Sequence, residues 1–197
     1  RGDRVLLKPN FIAPKSRKKA VQTDPAVITE LARLLLDTGA RVFVGDSPAW
    51  SNVYNCAQRL KLDMQLKRMG VPLVQFSDHR ECRLELSGVS VPVSTAALEA
   101  DAIINMPKIK AHQQLTATLA VKNMFGTVCG KRKAWLHFSC GSGEERFCKM
   151  LIDIYRLLKP VFSVIDGIDI MEGAGPIRGR ARPMGWLVVG EDPVACE

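Results

Sequence analysis

The chain has 197 residues, of which 47% are hydrophobic and 24% are charged, as is ordinary for a globular protein. No apolar run approaches the roughly 20 residues of a membrane span, and no charged-then-apolar signal segment opens the chain. The net charge of +8 suggests an anionic partner, although a basic solvated surface is the plain alternative.

The first part of the chain alternates between buried strands and an amphipathic helix. Val5 to Leu7 reads as a short strand. Asp24 is placed to cap a helix that starts at Pro25 and ends at Gly39. The segment "RVFVGDS" then reads as the next strand. A strand, a helix and a strand with short turns indicate a parallel βαβ unit.

The rest of the chain continues this alternation. A second helix is predicted from about Asn52 to Met69, a third from "LTATLAVKNMFG" and a fourth from about Glu144 to Leu158. Further strands are predicted from "VPLVQF", "DAIINM", "VFSVIDGI" and "GWLVVG", with a glycine-rich loop at "MEGAGPIRGRARP". We therefore predict an α/β fold with a mostly parallel sheet flanked by helices. An antiparallel hairpin excursion is expected around residues 83–93.

Both ends of the chain look cut, because the sequence enters a strand almost at once and stops where a helix should begin. We expect residues 1–197 to form a single α/β domain excised from a longer chain.

Polar residues collect just beyond the predicted strands. They are Lys8, Asn10, Asp46, Asn105, Lys108, Lys110, His112, Asp166, Glu172, Glu191 and Asp192. If the strands are parallel, these side chains gather at one edge of the sheet, where α/β proteins bind ligands. Each has a plainer interpretation as a turn residue, a helix cap or a solvated cation. Those interpretations do not explain why all of them follow strands.

Lysines and carboxylates at one edge suit an anionic substrate with, as one option, a divalent metal between them. The anion-binding candidates are Lys8, Asn10, Asn105, Lys108, Lys110, Lys122, Asn123 and Arg178. The metal candidates are Asp46, Asp166 and Glu172. The candidates for acid–base catalysis are His112, Asp166 and Glu172, His112 because its ordinary pKa lies near neutrality.

The segment "INMPKIKAHQQLT", residues 103–115, concentrates these candidates. Pro107 fixes its own φ and disfavours the helical region at Met106, so the chain should leave the sheet extended. Residues two apart then share a side, and Lys108, Lys110 and His112 should face one way. We expect them to converge on an anion, with Lys8 close by.

Six cysteines are scattered at positions 56, 82, 129, 140, 148 and 196, without C-x-x-C or other metal-ligand spacing. We expect reduced thiols, no iron–sulfur cluster bound by these cysteines, and a cytoplasmic location.

The chain resembles the domain-of-unknown-function family 362 over nearly its whole length. The matching elements are "KPN", "GDSP", "PKIKAH", "KNMFG", "DGIDIMEGAGP" and "DPVA". The resemblance implies a prokaryotic protein without a settled activity. It also implies relatives that often carry a ferredoxin-like iron–sulfur module beside this domain, although this chain lacks the cysteines of such a module.

Together these observations predict an α/β domain that binds a small phosphate or carboxylate at its strand ends. The competing hypothesis is a redox or scaffold module that does no chemistry itself and works with an iron–sulfur domain outside this chain. Nucleic acid is a poor partner, because aromatics are only 6% of the residues and do not alternate with lysine or arginine. Whether the protein is an enzyme, and its oligomeric state, stay open.

Overall fold

A computed structural model describes residues 2–113, 115–130, 133, 135–136 and 144–197. Its strands are β1 Arg4–Pro9, β2 Arg41–Asp46, β3 Leu73–Gln75, β4 His79–Arg83, β5 Ser90–Ser94, β6 Ala102–Met106, β7 Lys108–His112, β8 Thr116–Thr118, β9 Phe162–Glu172 and β10 Arg180–Gly190. Its α-helices are α1 Pro25–Asp37, α2 Val53–Arg59, α3 Asp63–Arg68, α4 Thr95–Leu98, α5 Ala120–Asn123, α6 Glu144–Leu158 and α7 Pro193–Cys196. Short 3₁₀ turns lie at Arg17–Lys19 and Met124–Thr127.

The central sheet is mostly parallel. Strand β1 lies between β2 and β6 and is parallel to both, and β6 is parallel to β9. Strands β6 and β7 run along the same edge of β9, because Asn105 pairs with Ser163 and Lys108 pairs with Asp166 in the same register. The prediction that β1, β2, β6 and β9 share one sheet is confirmed. The carboxyl ends of β1, β2 and β6 lie at one edge, whereas β9 begins at that edge and runs beyond it, since Ile104 pairs with Phe162.

Helices and loops cover both faces of this sheet, as the alternation of side chains along each strand requires. Leu6, Phe43 and Ile103 belong to a core shared with α6 and the β4–β5 hairpin. Their neighbours Leu7 and Val44 belong to a second core on the opposite face, shared with α1, α2 and α3. The central strands are therefore buried from both sides, and their carboxyl edge is the place where polar side chains can be gathered.

Two local predictions are confirmed. Asp24 caps α1 by accepting a hydrogen bond from the Ala26 N–H at 2.9 Å, with Pro25 as the first helical residue. Strands β4 and β5 pair in antiparallel fashion as a separate two-stranded sheet, which is the hairpin expected around residues 83–93.

The segment after Pro107 differs from the prediction. Instead of a loop followed by a long helix, the chain forms β7, then β8, and only then the short α5. Strands β7 and β8 are antiparallel, and Lys110 is the cross-strand partner of Thr118. Thr118 is β-branched and favours this extended pairing over a helix.

The last strand also differs. Strand β9 extends to Glu172, and β10 returns beside it in antiparallel fashion, with an irregularity between Pro183 and Trp186. The carboxyl end of β10 lies beside the beginning of β9, where Gly190 pairs with Ser163, so Glu191 and Asp192 do not follow a parallel strand as predicted. Asp192 instead caps α7, accepting from the Val194 N–H at 2.8 Å.

No helix within the described ranges is long and apolar enough to cross a membrane.

Candidate anion-binding site

A small cleft opens at the carboxyl ends of β1 and β2, beside β7, β8 and α5. Its volume is about 80 Å³. Its polar lining consists of Asn10, Asp46, Ser47, Lys110, His112, Thr118, Lys122, Asn123 and Lys133. Six of these nine residues belong to the set predicted from sequence, and they come from segments far apart in the chain.

The floor of the cleft contains a buried ion pair between Lys8 of β1 and Asp46 of β2, with Nζ and Oδ1 2.9 Å apart. Asp46 also accepts the backbone N–H groups of Phe11 at 2.8 Å and Ser47 at 2.7 Å. Burial lowers the pKa of Lys8, and the charge of Asp46 opposes that shift. Asp46 therefore fixes the loops that follow both strands, as well as neutralising Lys8.

A second buried ion pair joins Lys108 of β7 to Asp166 of β9, with Nζ and Oδ2 2.9 Å apart. Asp166 also accepts the N–H groups of Asp24 at 2.7 Å and Ile168 at 3.0 Å. Lys108 and Asp166 are buried and do not line the cleft. Lys108 was expected to face an anion together with Lys110 and His112. Its ammonium group is bound to Asp166 instead, so Lys108 stabilises the protein beside the cleft and does not line it.

Lys110 occupies a different environment. Its Nζ donates to the side-chain oxygen of Asn10 and, at 2.9 Å, to the backbone carbonyl of Val21. Burial, and next the charge of Lys122, lower the pKa of Lys110 to about 7. Within the described residues, no carboxylate forms an ion pair with it.

Two more lysines border the cleft. Lys133 donates to the Ser47 carbonyl and lies 5.8 Å from the centre of the Phe125 ring. Lys122 lies 5.9 Å from the centre of the Phe125 ring and 5.4 Å from that of Phe147. Burial is the main cause that lowers the pKa of each to about 8. Aromatic faces attract cations, so these rings support the charged form.

A chain of amide hydrogen bonds connects the three predicted asparagines. Asn10 donates to the Asn123 oxygen at 2.7 Å, and Asn123 donates to the Asn105 oxygen at 2.8 Å. Asn105 donates to the Ala120 carbonyl at 2.9 Å. The amides therefore hold β1, β6 and α5 in fixed relation, and the Asn10 end of the chain holds Lys110.

His112 lines the cleft two residues beyond Lys110. Its Nδ1 accepts from the Leu115 N–H at 3.3 Å, so a neutral imidazole carries its proton on Nε2. That His112 lies near a bound anion stays a prediction.

Glu172 and Arg178 do not reach the cleft. Glu172 accepts from Arg180 at 2.6 Å, and this hydrogen bond is the first cause that lowers the pKa of its carboxyl group. Arg178 lies exposed in the loop between β9 and β10. The long hairpin carries both residues past the edge where β1 and β2 end.

The residues proposed for a divalent metal do not fit that role. Asp46 and Asp166 are held in separate ion pairs with lysine, and Glu172 is paired with arginine. No group of three His, Cys, Asp or Glu side chains in the described ranges is arranged to hold a metal ion. We therefore assign no chemistry to a metal here.

Thr118 and Lys133 were missed in the sequence. Thr118 was hidden by the incorrect helix prediction, and only its pairing with Lys110 in β8 places it in the cleft. Lys133 belongs to the run "GKRK", where three neighbouring cations give no sequence signal for a single position. Residues 131, 132 and 134 of the same region lie outside the described part of the chain.

Five cysteines, Cys56, Cys82, Cys129, Cys148 and Cys196, are free thiols, and Cys140 lies outside the described residues. Burial raises the pKa of Cys56 to about 12 and that of Cys129 to about 11, so these two are poor nucleophiles.

Comparison with known proteins identifies the family. The model of the family "Domain of unknown function (DUF362)" matches residues 5–197. The chain belongs to this family. It is also 38% identical over 196 residues to the "Thylakoid-associated protein sll1697" of Synechocystis sp., a match that covers 100% of the chain and 61% of that protein. The chain thus spans about three-fifths of the length of this relative.

A solved structure shares the fold of this DUF362 chain. It is the lactate racemase apoprotein from Thermoanaerobacterium thermosaccharolyticum, with a TM-score of 0.58 and 12% identity. The match covers 98% of the chain and 47% of the racemase. At this identity the similarity supports the α/β architecture alone.

Proposed function

We propose that the cleft of this DUF362 domain binds a small anion that carries a carboxylate or phosphate group. The observation that carries the proposal is the excess of lysine over carboxylate. Asp46 lies at the cleft but is already paired with Lys8. Lys110, Lys122 and Lys133 add three further cations to the lining.

The mutual repulsion of these cations supports an anionic ligand. Burial is the largest cause that lowers the pKa of Lys110 and of Lys133, and the charge of Asp46 opposes it. Lys122, Lys8 and Lys108 lower the pKa of Lys110 further, and Lys8 and Lys122 lower that of Lys133 further. A bound anion would offset this repulsion and favour the protonated form of each lysine. The repulsion among these lysines therefore favours anion binding at the cleft, in addition to any effect of the net positive charge of the whole chain.

Thr118 supplies a second line of support. Its Oγ1 is buried and has no hydrogen-bond partner among the described residues, although the residue lines the cleft. Buried hydroxyl groups are normally hydrogen-bonded, and leaving one unsatisfied costs about 1–3 kcal/mol. An oxyanion in the cleft would accept this hydrogen bond. The volume of about 80 Å³ has room for roughly five water molecules and suits a small ligand rather than a nucleotide.

Calorimetric titration with phosphate, sulfate, acetate and pyruvate tests the proposal. We expect at least one of them to bind the wild-type protein, and the Lys122→Met and Lys133→Met double variant to bind it at least about tenfold more weakly. Lys149→Met is the matched control, because Lys149 lies on the exposed side of α6 in an ion pair with Glu145. Absence of binding by the wild type, or equal binding by the double variant, would overturn the proposal.

We also favour a cytoplasmic location, which the free thiols of the described cysteines support. Labelling the folded protein in intact cells with a membrane-permeant thiol reagent, compared with an impermeant one, tests this location.

A further inference from the structure

Lys110 differs from the other buried lysines in what its amine contacts. The ammonium groups of Lys8 and Lys108 are bound to carboxylates. The two hydrogen bonds of Lys110 run to neutral oxygens, the amide oxygen of Asn10 and the carbonyl oxygen of Val21. Neither acceptor requires a positive charge on the donor.

This arrangement is compatible with a neutral amine. A neutral lysine nitrogen carries two N–H bonds and one lone pair. Asn10 and Val21 supply two acceptors, so both N–H bonds are used and the lone pair is left for another partner. Burial among other cations also depresses the pKa of Lys110 to about 7, which keeps a large share of the amine neutral near neutral pH.

We propose that Lys110 is a nucleophile that forms an imine with the carbonyl carbon of a small oxo acid, whose carboxylate is held by Lys122 and Lys133. This inference rests on the proposed anion site and names the chemical class of its ligand. The cleft places the three lysines in one lining, together with Thr118 and His112.

The reaction balances without an added oxidant, reductant or cofactor. The lone pair of Lys110 Nζ forms a bond to the carbonyl carbon, while the π electrons of the carbonyl bond move to its oxygen. A proton passes from the nitrogen to that oxygen and gives a carbinolamine. The C–O bond then breaks, the hydroxyl group takes up a proton and leaves as water, and a protonated imine remains.

One neighbour is suited to the first of these steps. The Thr118 hydroxyl group, on the cross-strand partner of Lys110, has no hydrogen-bond partner among the described residues and can donate to the oxygen that gains negative charge. The proton that the departing hydroxyl group takes up comes from water. Thr118 lines the same cleft as Lys110.

The other lysines of the cleft are less suited to attack a carbonyl group. Lys122 and Lys133 lie against aromatic rings, which favour the protonated form. Their charge is also what the carboxylate of an oxo acid requires. The three lysines therefore divide into one nucleophile and two binding groups.

The test is reductive trapping. The protein is incubated with pyruvate or glyoxylate and sodium cyanoborohydride, and the intact mass and the modified peptide are determined. We expect one reduced adduct per chain, on Lys110. An adduct that is absent, or that is spread over exposed lysines such as Lys149, would overturn the inference.

Two variants locate the adduct. Lys110→Arg keeps a positive charge but has no nucleophilic amine, so it should lose the adduct. Lys110→Met should lose the adduct as well, and thermal melting of both variants shows whether they fold. If wild-type protein binds acetate or phosphate but forms no adduct, the anion site stands and the imine is wrong. If it binds no anion and forms no adduct, both are wrong.

Discussion

The Lys8–Asp46 ion pair occupies the space that a side chain at position 126 would need. A Cβ added to Gly126 would lie 2.4 Å from Asp46 Oδ1 and 2.5 Å from Lys8 Nζ. The Gly126 carbonyl also accepts from the Ser47 N–H at 3.1 Å, so the backbone cannot easily move away. A glycine at this position is what allows the buried pair and the turn after α5 to pack against each other.

Replacing Gly126 by alanine should therefore disrupt the ion pair. We expect the Gly126→Ala protein to melt at a lower temperature and to lose anion binding, as measured by thermal unfolding and calorimetry. Gly70→Ala is the control, because Gly70 has a φ of +68° and no atoms near its Cβ position. It should cost about 1–2 kcal/mol of stability from backbone strain alone and leave binding unchanged. Wild-type binding by Gly126→Ala would show that the pair tolerates the methyl group.

The two members of the ion pair should not be equivalent. Asp46→Asn leaves a buried ammonium group uncompensated and weakens two hydrogen bonds to backbone N–H groups, whereas Lys8→Met leaves those two bonds in place. We expect about 3–5 kcal/mol of destabilisation from Lys8→Met and more from Asp46→Asn. Urea unfolding measures both. A smaller loss from Asp46→Asn would mean that Asp46 does not fix the loops.

Anion binding should weaken as the pH rises. The pKa values of Lys110, Lys122 and Lys133 lie at about 7, about 8 and about 8, so all three lose charge between neutral and alkaline pH. Because the bound anion favours the protonated lysines, binding near pH 8 should also take up protons. Calorimetry in buffers of different ionisation enthalpy measures this uptake. An affinity that is constant from slightly acidic to alkaline pH would contradict the assignment.

The same shift affects stability with the opposite sign. The pKa of Lys110 is about 7 in the folded protein and about 10.5 in the unfolded chain, so the unfolded state binds more protons between these values. The contribution of Lys110 to stability should rise as the pH increases through this range and should be lost as the pH falls below about 7. Urea unfolding of the wild type and Lys110→Met across this range should show a smaller pH dependence for the variant. Identical slopes would mean that Lys110 keeps its ordinary pKa.

Strand β10 should promote self-association. Trp186, Leu187 and Val189 are each more than half exposed, and no described strand pairs with the outer edge of β10. Unpaired apolar edge strands pair readily with other chains. Replacing Leu187 and Val189 by lysine should reduce association measured by light scattering. Leu34→Lys, on the exposed face of α1 and 53% exposed, is the control and should have little effect.

The sequence predicted the parallel sheet well, because apolar runs, helix caps and glycine stops are local signals. Asp24 and Pro25 illustrate this, since the cap and first helical position were correct. The order of residues also placed Lys8, Asp46 and Asn105 at one edge, because parallel strands end together.

The division of roles among the lysines was not predictable from sequence. Whether Lys108 or Lys110 is paired with a carboxylate depends on the register of β7 against β9, where Lys108 lies opposite Asp166 and an irregularity follows. That register is set by long-range packing. The same packing converted the predicted helix at 115–126 into β8 and a short α5, and so brought Thr118 beside Lys110.

The hydrogen bonds of the amide chain all run in one direction, and they join residues from several separate elements of the fold. Every hydrogen bond in it points the same way, from Lys110 through Asn10, Asn123 and Asn105 to the Ala120 carbonyl. Lys110 is a donor in both its charged and its neutral form, so losing a proton does not break the sequence of bonds. The links come from four separate elements. A fragment that lacks any one of them would lose the orientation of the Lys110 amine along with a strand or helix.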